Sequence, residues 1–134
     1  MGASVPVEFQ LLVAAVIIGF VYIFAASAAG ATGERNLRWL SGPRDEDLPV
    51  GVLAQRLRRA QANFFETFPL LVAALVGCAA AGKLGGPLTV YGVGTYVIAR
   101  AIYLPLYAIG TPLRSLVWGV SFFAIVAIVV AFFR

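Results

Sequence analysis

Histidine is absent from this chain, and cysteine occurs once in its 134 residues. A disulfide within the chain is therefore impossible, and a metal site built from cysteine and histidine cannot be assembled. Any thiol chemistry must use a thiol that a substrate brings. The one cysteine, Cys78, lies in an apolar run, where it is most simply explained as a small packing residue. We predict no bound metal.

Charge is also scarce. Only 12% of the residues are charged and 61% are hydrophobic, which lies outside the range of soluble domains. No charge occurs between Glu8 and Glu34, and these 25 uncharged residues exceed the roughly 20 that a helix needs to cross a bilayer. This run is too long, and too poor in preceding basic residues, for a cleaved signal peptide. The sequence predicts an integral membrane protein.

Four apolar runs predict an all-α, up-down-up-down bundle of four transmembrane helices, forming a single domain over residues 1–134. The predicted helices cover approximately residues 7–30, 51–82, 87–108 and 112–133. Glycine and proline mark the connections, as in the turn from Gly82 to Pro87 and in the Gly110-Thr111-Pro112 segment. Little chain is left for any domain outside the membrane.

The positive charges predict an orientation. Six arginines fall in the first loop and the start of the second helix, namely Arg35, Arg38, Arg44, Arg56, Arg58 and Arg59. The opposite side holds Lys83 and Arg134. The positive-inside rule then places this loop in the cytoplasm and both termini outside, as expected for a bacterial inner membrane. The net charge of +4 follows from this rule or from contact with anionic membrane lipid, and it does not imply nucleic-acid binding.

A polar stripe follows the second helix. Arg56, Arg59, Asn63 and Glu66 are spaced by three, four and three residues, which places them on one helical face. Polar groups in a membrane helix are costly, so they mark functional sites by default. The alternative is a structural network in which Arg59 and Glu66 neutralise each other. The stripe alone favours neither interpretation.

The third helix repeats this spacing. Arg100, Tyr103 and Tyr107 share one face, and Arg114 lies seven residues further on. If this helix runs towards the cytoplasm, both polar faces reach the same depth and form a shared pocket. The alternative for the tyrosines is an aromatic belt at the membrane interface. Arginine suits carboxylates, glutamate suits an ammonium group, and asparagine suits a peptide group. The pattern therefore favours an amino-acid-like or peptide-like ligand that meets a lipophilic partner.

These residues also carry a resemblance. The segment RAQANFFETFP, residues 59–69, resembles the signature of the MAPEG family, the membrane-associated proteins in eicosanoid and glutathione metabolism. The likeness extends over most of the chain, including the basic first loop and the pattern from Arg100 to Ser115. The segment from Gly42 to Asp47 resembles bacterial members. The resemblance implies a homotrimer that binds glutathione near the cytoplasmic side, between neighbouring subunits.

The resemblance also assigns roles. It implies that glutathione is held by Arg38, Arg59, Gln61, Asn63, Glu66, Arg100, Tyr103 and Tyr107. Arg35 is the alternative to Arg38, because loop length leaves that choice open. Arg114 matches the arginine placed beside the glutathione sulfur, and we predict it to be catalytic. Ser115 is a second catalytic candidate, which could donate a hydrogen bond to sulfur or substrate, or could simply begin the last helix.

The predicted function is a glutathione transferase, with peroxidase activity as a further outcome. A fixed cation in a low-dielectric site favours the thiolate form of a thiol, and Arg114 could supply it without any histidine. The second substrate would be a lipophilic electrophile or a lipid hydroperoxide. One alternative is a non-catalytic lipid-binding or scaffold protein of the same fold. The other is a small four-helix transporter, which the arginines beside Glu66 disfavour.

Overall fold

The computed structural model describes residues 2, 4–31, 36–46 and 48–134, and at position 37 it describes the backbone alone. The helices are α1 (Val7–Gly30), α2 (Leu37–Ser41), α3 (Val52–Ala80), α4 (Pro87–Ile109) and α5 (Leu113–Phe132). The four helices α1, α3, α4 and α5 are each long and apolar enough to cross a membrane. No strand occurs in the described ranges. The predicted all-α fold with four membrane helices is confirmed.

The short helix α2 lies where the sequence predicts only a polar loop. Asn36 precedes it, and the Asn36 side chain accepts a hydrogen bond of 3.1 Å from the backbone N–H of Trp39. This contact is the usual arrangement at a helix N-terminus. The candidate Arg35 lies outside the described residues, so α2 places only its alternative, Arg38.

Two contacts between helices define the directions of three of them. Near the start of α1, Glu8 contacts Thr89 near the start of α4, so these two helices run in parallel. At the start of α3, Arg56 contacts Ala108 near the end of α4, so α3 runs the opposite way. Both α1 and α5 pack against α3 and α4. This arrangement matches the predicted up-down-up-down order.

The face of α1 that packs on the bundle consists largely of small residues. Its buried positions beyond the first turn are Ala15, Gly19, Tyr22, Ala26 and Gly30. Small residues allow membrane helices to approach closely. In lipid no hydrophobic effect drives helices together, so this close packing supplies much of their attraction. A Cβ atom at Gly19 would lie 3.0 Å from the Phe64 ring of α3. That ring lies 4.8 Å from the Tyr22 ring and 6.4 Å from the Tyr96 ring, joining three helices.

A buried carboxylate connects the beginning of α1 to the beginning of α4. Glu8 is 1% exposed and accepts hydrogen bonds from the Thr89 hydroxyl, at 2.6 Å, and from the Gly85 backbone N–H. The first N–H groups of a helix lack partners within the helix and carry a partial positive charge. Glu8 therefore stabilises the N-terminal end of α4 and fixes the preceding turn to α1.

Replacing Glu8 with alanine is expected to destabilise the fold. Glu8→Ala removes the acceptor of the Gly85 N–H and the charged partner of the Thr89 hydroxyl, which keeps the Gly86 carbonyl as an acceptor. We therefore expect the free energy of unfolding to fall by about 1 kcal/mol. Thermal unfolding in detergent, followed by circular dichroism, measures the change. Val13→Ala, at an exposed position of the same helix, is the control. Equal stability of Glu8→Ala and the control variant would show that this connection contributes nothing.

Candidate functional site

The candidate site is built around Arg100 on α4, whose side chain is 0% exposed. The guanidinium carbon lies 5.4 Å from the centre of the Tyr96 ring and 5.0 Å from that of Tyr103. These tyrosines lie four residues before and three after Arg100, so they share its helical face. The cation is therefore held between two aromatic rings, an attractive arrangement that strengthens when water is excluded.

Arg100 is only partly satisfied by hydrogen bonds. Its Nη1 donates a bond of 2.7 Å to Oδ1 of Asn63 on α3, whereas Nε and Nη2 are buried without a partner. Within the described part of the chain no carboxylate pairs with this guanidinium. A buried charge is costly unless it is paired or fully hydrogen-bonded. Two nitrogens of Arg100 thus remain inside the bundle without a hydrogen-bond acceptor.

A second cation lies further along the same face. The guanidinium carbon of Arg114 lies 4.9 Å from the centre of the Tyr107 ring, and that ring lies 5.5 Å from the Tyr103 ring. Nη1 of Arg114 donates to the Thr111 carbonyl at 3.3 Å. We call the set Tyr96, Arg100, Tyr103, Tyr107 and Arg114 the cationic row. It brings together the four residues that the sequence analysis singled out on this helix and its following turn.

The polar stripe of α3 is divided between different surroundings. Asn63 is half-buried and joins the cationic row through Arg100, whereas Arg59 and Glu66 are exposed. Glu66 nevertheless lies within electrostatic range of the Tyr103 hydroxyl, as do Arg100 and Arg114. No ion pair joins Arg59 to Glu66 in the described structure. Mutual neutralisation therefore does not account for these two charges within one chain.

Arg56 has a structural role, although its spacing places it in the polar stripe of α3. Its Nη1 donates to the carbonyl of Ala108 at 3.1 Å. The guanidinium group covers Gly110, where φ is +76°, and a Cβ atom at that glycine would lie 2.8 Å from the guanidinium carbon. A positive charge beside the last carbonyls of a helix interacts favourably with the helix dipole. Arg56 therefore completes the C-terminal end of α4.

The remaining candidates lie apart from the cationic row within a single chain. Gln61 faces a different cavity of about 570 Å³, which is also lined by Trp39, Arg44 and Arg58. Arg38 is exposed on α2. Ser115 is exposed in the first turn of α5 and lines a mostly apolar cavity of about 500 Å³. The structure thus brings neither Arg38 nor Gln61 to the row, and it turns Ser115 towards an apolar surface.

Two further tyrosines support the site and were missed in the sequence. The Tyr22 hydroxyl donates to the backbone carbonyl of Arg100 at 2.7 Å, and the Tyr96 hydroxyl shares a hydrogen bond of 2.9 Å with Thr67. Tyr96 could have been found, because it continues the spacing of three and four by one step before Arg100. Tyr22 carries no such signal, since it lies alone in an otherwise apolar helix.

Comparison with known proteins gives one match. A model of the MAPEG family matches residues 11–134, which is nearly the whole chain. The matched segment includes every candidate residue from Arg38 to Ser115 and begins just after Glu8. No curated protein and no solved structure matches the chain. The family suggested by the signature in α3 is therefore confirmed.

The different surroundings of Arg56 and Arg59 lead to opposite expectations for stability. Arg56→Gln removes the cation from the end of α4, so we expect a loss of about 1 kcal/mol in the free energy of unfolding. Arg59→Gln removes an exposed charge with no described partner, so we expect a change below about 0.5 kcal/mol. Thermal unfolding of the detergent-solubilised variants, without ligand, measures both. A larger loss for Arg59→Gln than for Arg56→Gln would reverse the assignment.

Proposed function

The chain belongs to the MAPEG family, and from this premise we propose that it is a membrane-bound glutathione transferase or peroxidase. Members of the family act in glutathione and eicosanoid metabolism, and some have no enzymatic activity. The chain is an integral membrane protein with several spans. We further propose that its site faces the cytoplasm of a bacterial cell, with the termini on the other side, because the arginines concentrate at one end of the bundle.

The observation that carries this proposal is the pair of guanidinium groups in the cationic row. Neither Arg100 nor Arg114 is paired with a carboxylate of the described chain, and aromatic rings cover both. Cations that lack counter-charges in a low-dielectric region favour an anion beside them. Glutathione supplies two carboxylates and, once ionised, a thiolate. Glu66 supplies the complementary charge for its ammonium group.

The proposed chemistry begins with loss of the thiol proton to solvent. Arg114 stabilises the resulting thiolate, because a fixed positive charge lowers the free energy of the ionised form. The sulfur then donates an electron pair to an electrophilic carbon of the second substrate, forming a carbon–sulfur bond. The displaced electron pair leaves with the leaving group, or it is protonated by water where the substrate is a conjugated acceptor. A hydroperoxide would instead be attacked at its terminal oxygen, so that the O–O bond breaks and the departing alkoxide takes a proton from water. The glutathione sulfenic acid formed would then condense with a second glutathione to give the disulfide and water.

An apolar groove that begins at Ser115, the residue after Arg114, supports a lipophilic second substrate. Ser115 stands at one end, and the groove continues between α4 and α5 along Leu116, Val120 and Phe123. A neighbouring apolar hollow shares Val120 and is lined by Ile98 and Ile102. Both open on faces that the bilayer would cover, so a membrane-dissolved molecule can approach from the side. Ser115 would then contact this lipophilic substrate.

We also propose that the functional unit is a homotrimer, as the family resemblance implies. Arg59 and Glu66 are exposed on a membrane-spanning helix, where a charge without a partner is costly. A neighbouring copy that covers this face, with glutathione bound between the two chains, would satisfy them. Arg38 and Gln61, which lie apart from the cationic row in one chain, would then be able to reach the site of an adjacent chain.

The first test of the proposed function is an ultraviolet difference titration with glutathione at neutral pH. Wild-type protein should give a saturable thiolate band that S-methylglutathione displaces. Arg114→Ala should lose the band and lower turnover of an electrophile by about a hundredfold or more, while still binding glutathione in calorimetry. Arg134→Ala, which removes an exposed arginine at the chain end, is the matched control.

The outcomes of this titration separate the competing functions. An undiminished band and turnover in Arg114→Ala would place sulfur activation elsewhere. Binding to wild-type protein without a thiolate band would indicate a site that holds glutathione and does not ionise it. A wild-type protein that does not bind glutathione at all would favour the non-catalytic, lipid-binding member of the family.

The oligomer is tested by native mass spectrometry of the detergent-solubilised protein. We expect an assembly of three chains of 14.2 kDa each. Glu66→Leu should retain the trimer or strengthen it, because it removes a charge from a covered apolar region, yet it should weaken glutathione binding by about tenfold. A mass of one chain under conditions where the protein remains folded would contradict the proposed assembly.

A further inference from the structure

The orientation of the Asn63 side chain follows from its contact with Arg100. The atom of Asn63 that lies 2.7 Å from Nη1 must be the carbonyl oxygen Oδ1, because arginine nitrogens only donate hydrogen bonds. The amide nitrogen Nδ2 therefore lies on the other branch of the side chain, directed away from that guanidinium group. No acceptor of the described chain contacts Nδ2, and Asn63 is only half-buried.

Arg100 has little freedom to release Asn63. Its side chain has no exposed surface and lies between the rings of Tyr96 and Tyr103. Its backbone carbonyl accepts a hydrogen bond from Tyr22, which fixes α4 to α1 at this position. Moving the guanidinium group would therefore disturb its contacts with α3 and with the rings of its own helix. The direction of the Asn63 amide is a property of the packed bundle and is set before any ligand arrives.

We infer that Arg100 is a positioning residue that presents Asn63 to the ligand as a hydrogen-bond donor, so that the ligand group recognised there is an acceptor oxygen. This inference rests on the proposed function, in which the ligand is glutathione. It assigns a peptide carbonyl or a carboxylate of glutathione to Asn63 and leaves the ammonium group to Glu66. It also distinguishes Asn63 from a simple interhelical contact, for which only Oδ1 would matter.

One substitution separates the two functions of the Asn63 side chain. Asn63→Asp keeps an oxygen for Arg100 and supplies the missing counter-charge, but it removes both amide protons. We expect its melting temperature to equal or exceed that of the wild-type protein, because a buried cation gains a partner. Its affinity for glutathione should nevertheless fall on the order of tenfold or more. Calorimetric titration with glutathione and thermal unfolding measure the two effects.

Two further variants provide the controls. Asn63→Leu has a similar volume but removes both the acceptor and the donor, so it should lose affinity and also melt at a lower temperature. Gln55→Glu makes the same amide-to-carboxylate change at an exposed position earlier in α3 and should leave the affinity unchanged within about twofold. Repeating the Asn63→Asp titration at about 0.5 M salt screens simple charge repulsion, whereas the loss of a donor persists.

Each outcome has a definite meaning. Glutathione affinity of Asn63→Asp within about twofold of wild type would overturn the donor role while leaving the proposed function intact. A melting temperature of Asn63→Asp as low as that of Asn63→Leu, or failure of Asn63→Asp to fold, would overturn the assigned orientation, since a carboxylate should be tolerated beside Arg100. An affinity that high salt restores would also overturn the donor role. If wild-type protein does not bind glutathione, the proposed function itself fails.

Discussion

The charge of Arg100 has no contact with water, and everything that stabilises it must come from the helices around it. Rings on its own helix cover both sides of the guanidinium group, Asn63 on α3 accepts one of its hydrogen bonds, and Tyr22 on α1 binds its backbone. A bilayer supplies no solvent that could replace these contacts if the helices moved apart. The relative positions of α1, α3 and α4 are therefore tied to the requirements of a single cation. The same packing leaves Nε and Nη2 without hydrogen-bond acceptors.

Four other charged residues fall into two groups with different physical roles. Glu8 and Arg56 lie at opposite ends of α4, the carboxylate at its N-terminus and the guanidinium at its C-terminus, and both act on partial charges of the helix. Arg59 and Glu66 form no ion pair or side-chain hydrogen bond within the described chain. Residues of the first group explain how the helices are held together, whereas those of the second have no structural role within the described chain. The presence of polar groups in a membrane helix does not by itself tell these roles apart.

Much of the fold could be predicted because apolar length alone specifies a membrane helix. The spacing of polar residues on α4 could also be used, since a polar group in an apolar helix has a preferred direction towards protein. Apolar residues give no such direction in lipid, which is why the packing face of α1 and the position of Tyr22 could not be deduced. Spacing also grouped Arg56 with Arg59, although only contact with Gly110 and Ala108 shows that Arg56 completes α4. A helical face defines direction and does not define which neighbouring helix, or which copy of the chain, lies opposite.

In the proposed function, the thiol pKa depends on the position of an arginine and not on the protonation state of a second protein group. The guanidinium group stays protonated at any pH that a cell reaches, so its effect on a nearby sulfur depends on distance and on the exclusion of water. In this chain Arg114 is half-buried beside the Tyr107 ring, and the apolar groove begins at the next residue, Ser115. In the proposed function, a lipophilic molecule in this groove would limit the access of water to the site and lower the local dielectric constant. Binding of the second substrate would then strengthen the stabilisation of the thiolate it is about to meet, which couples substrate entry to sulfur reactivity without any moving part of the protein.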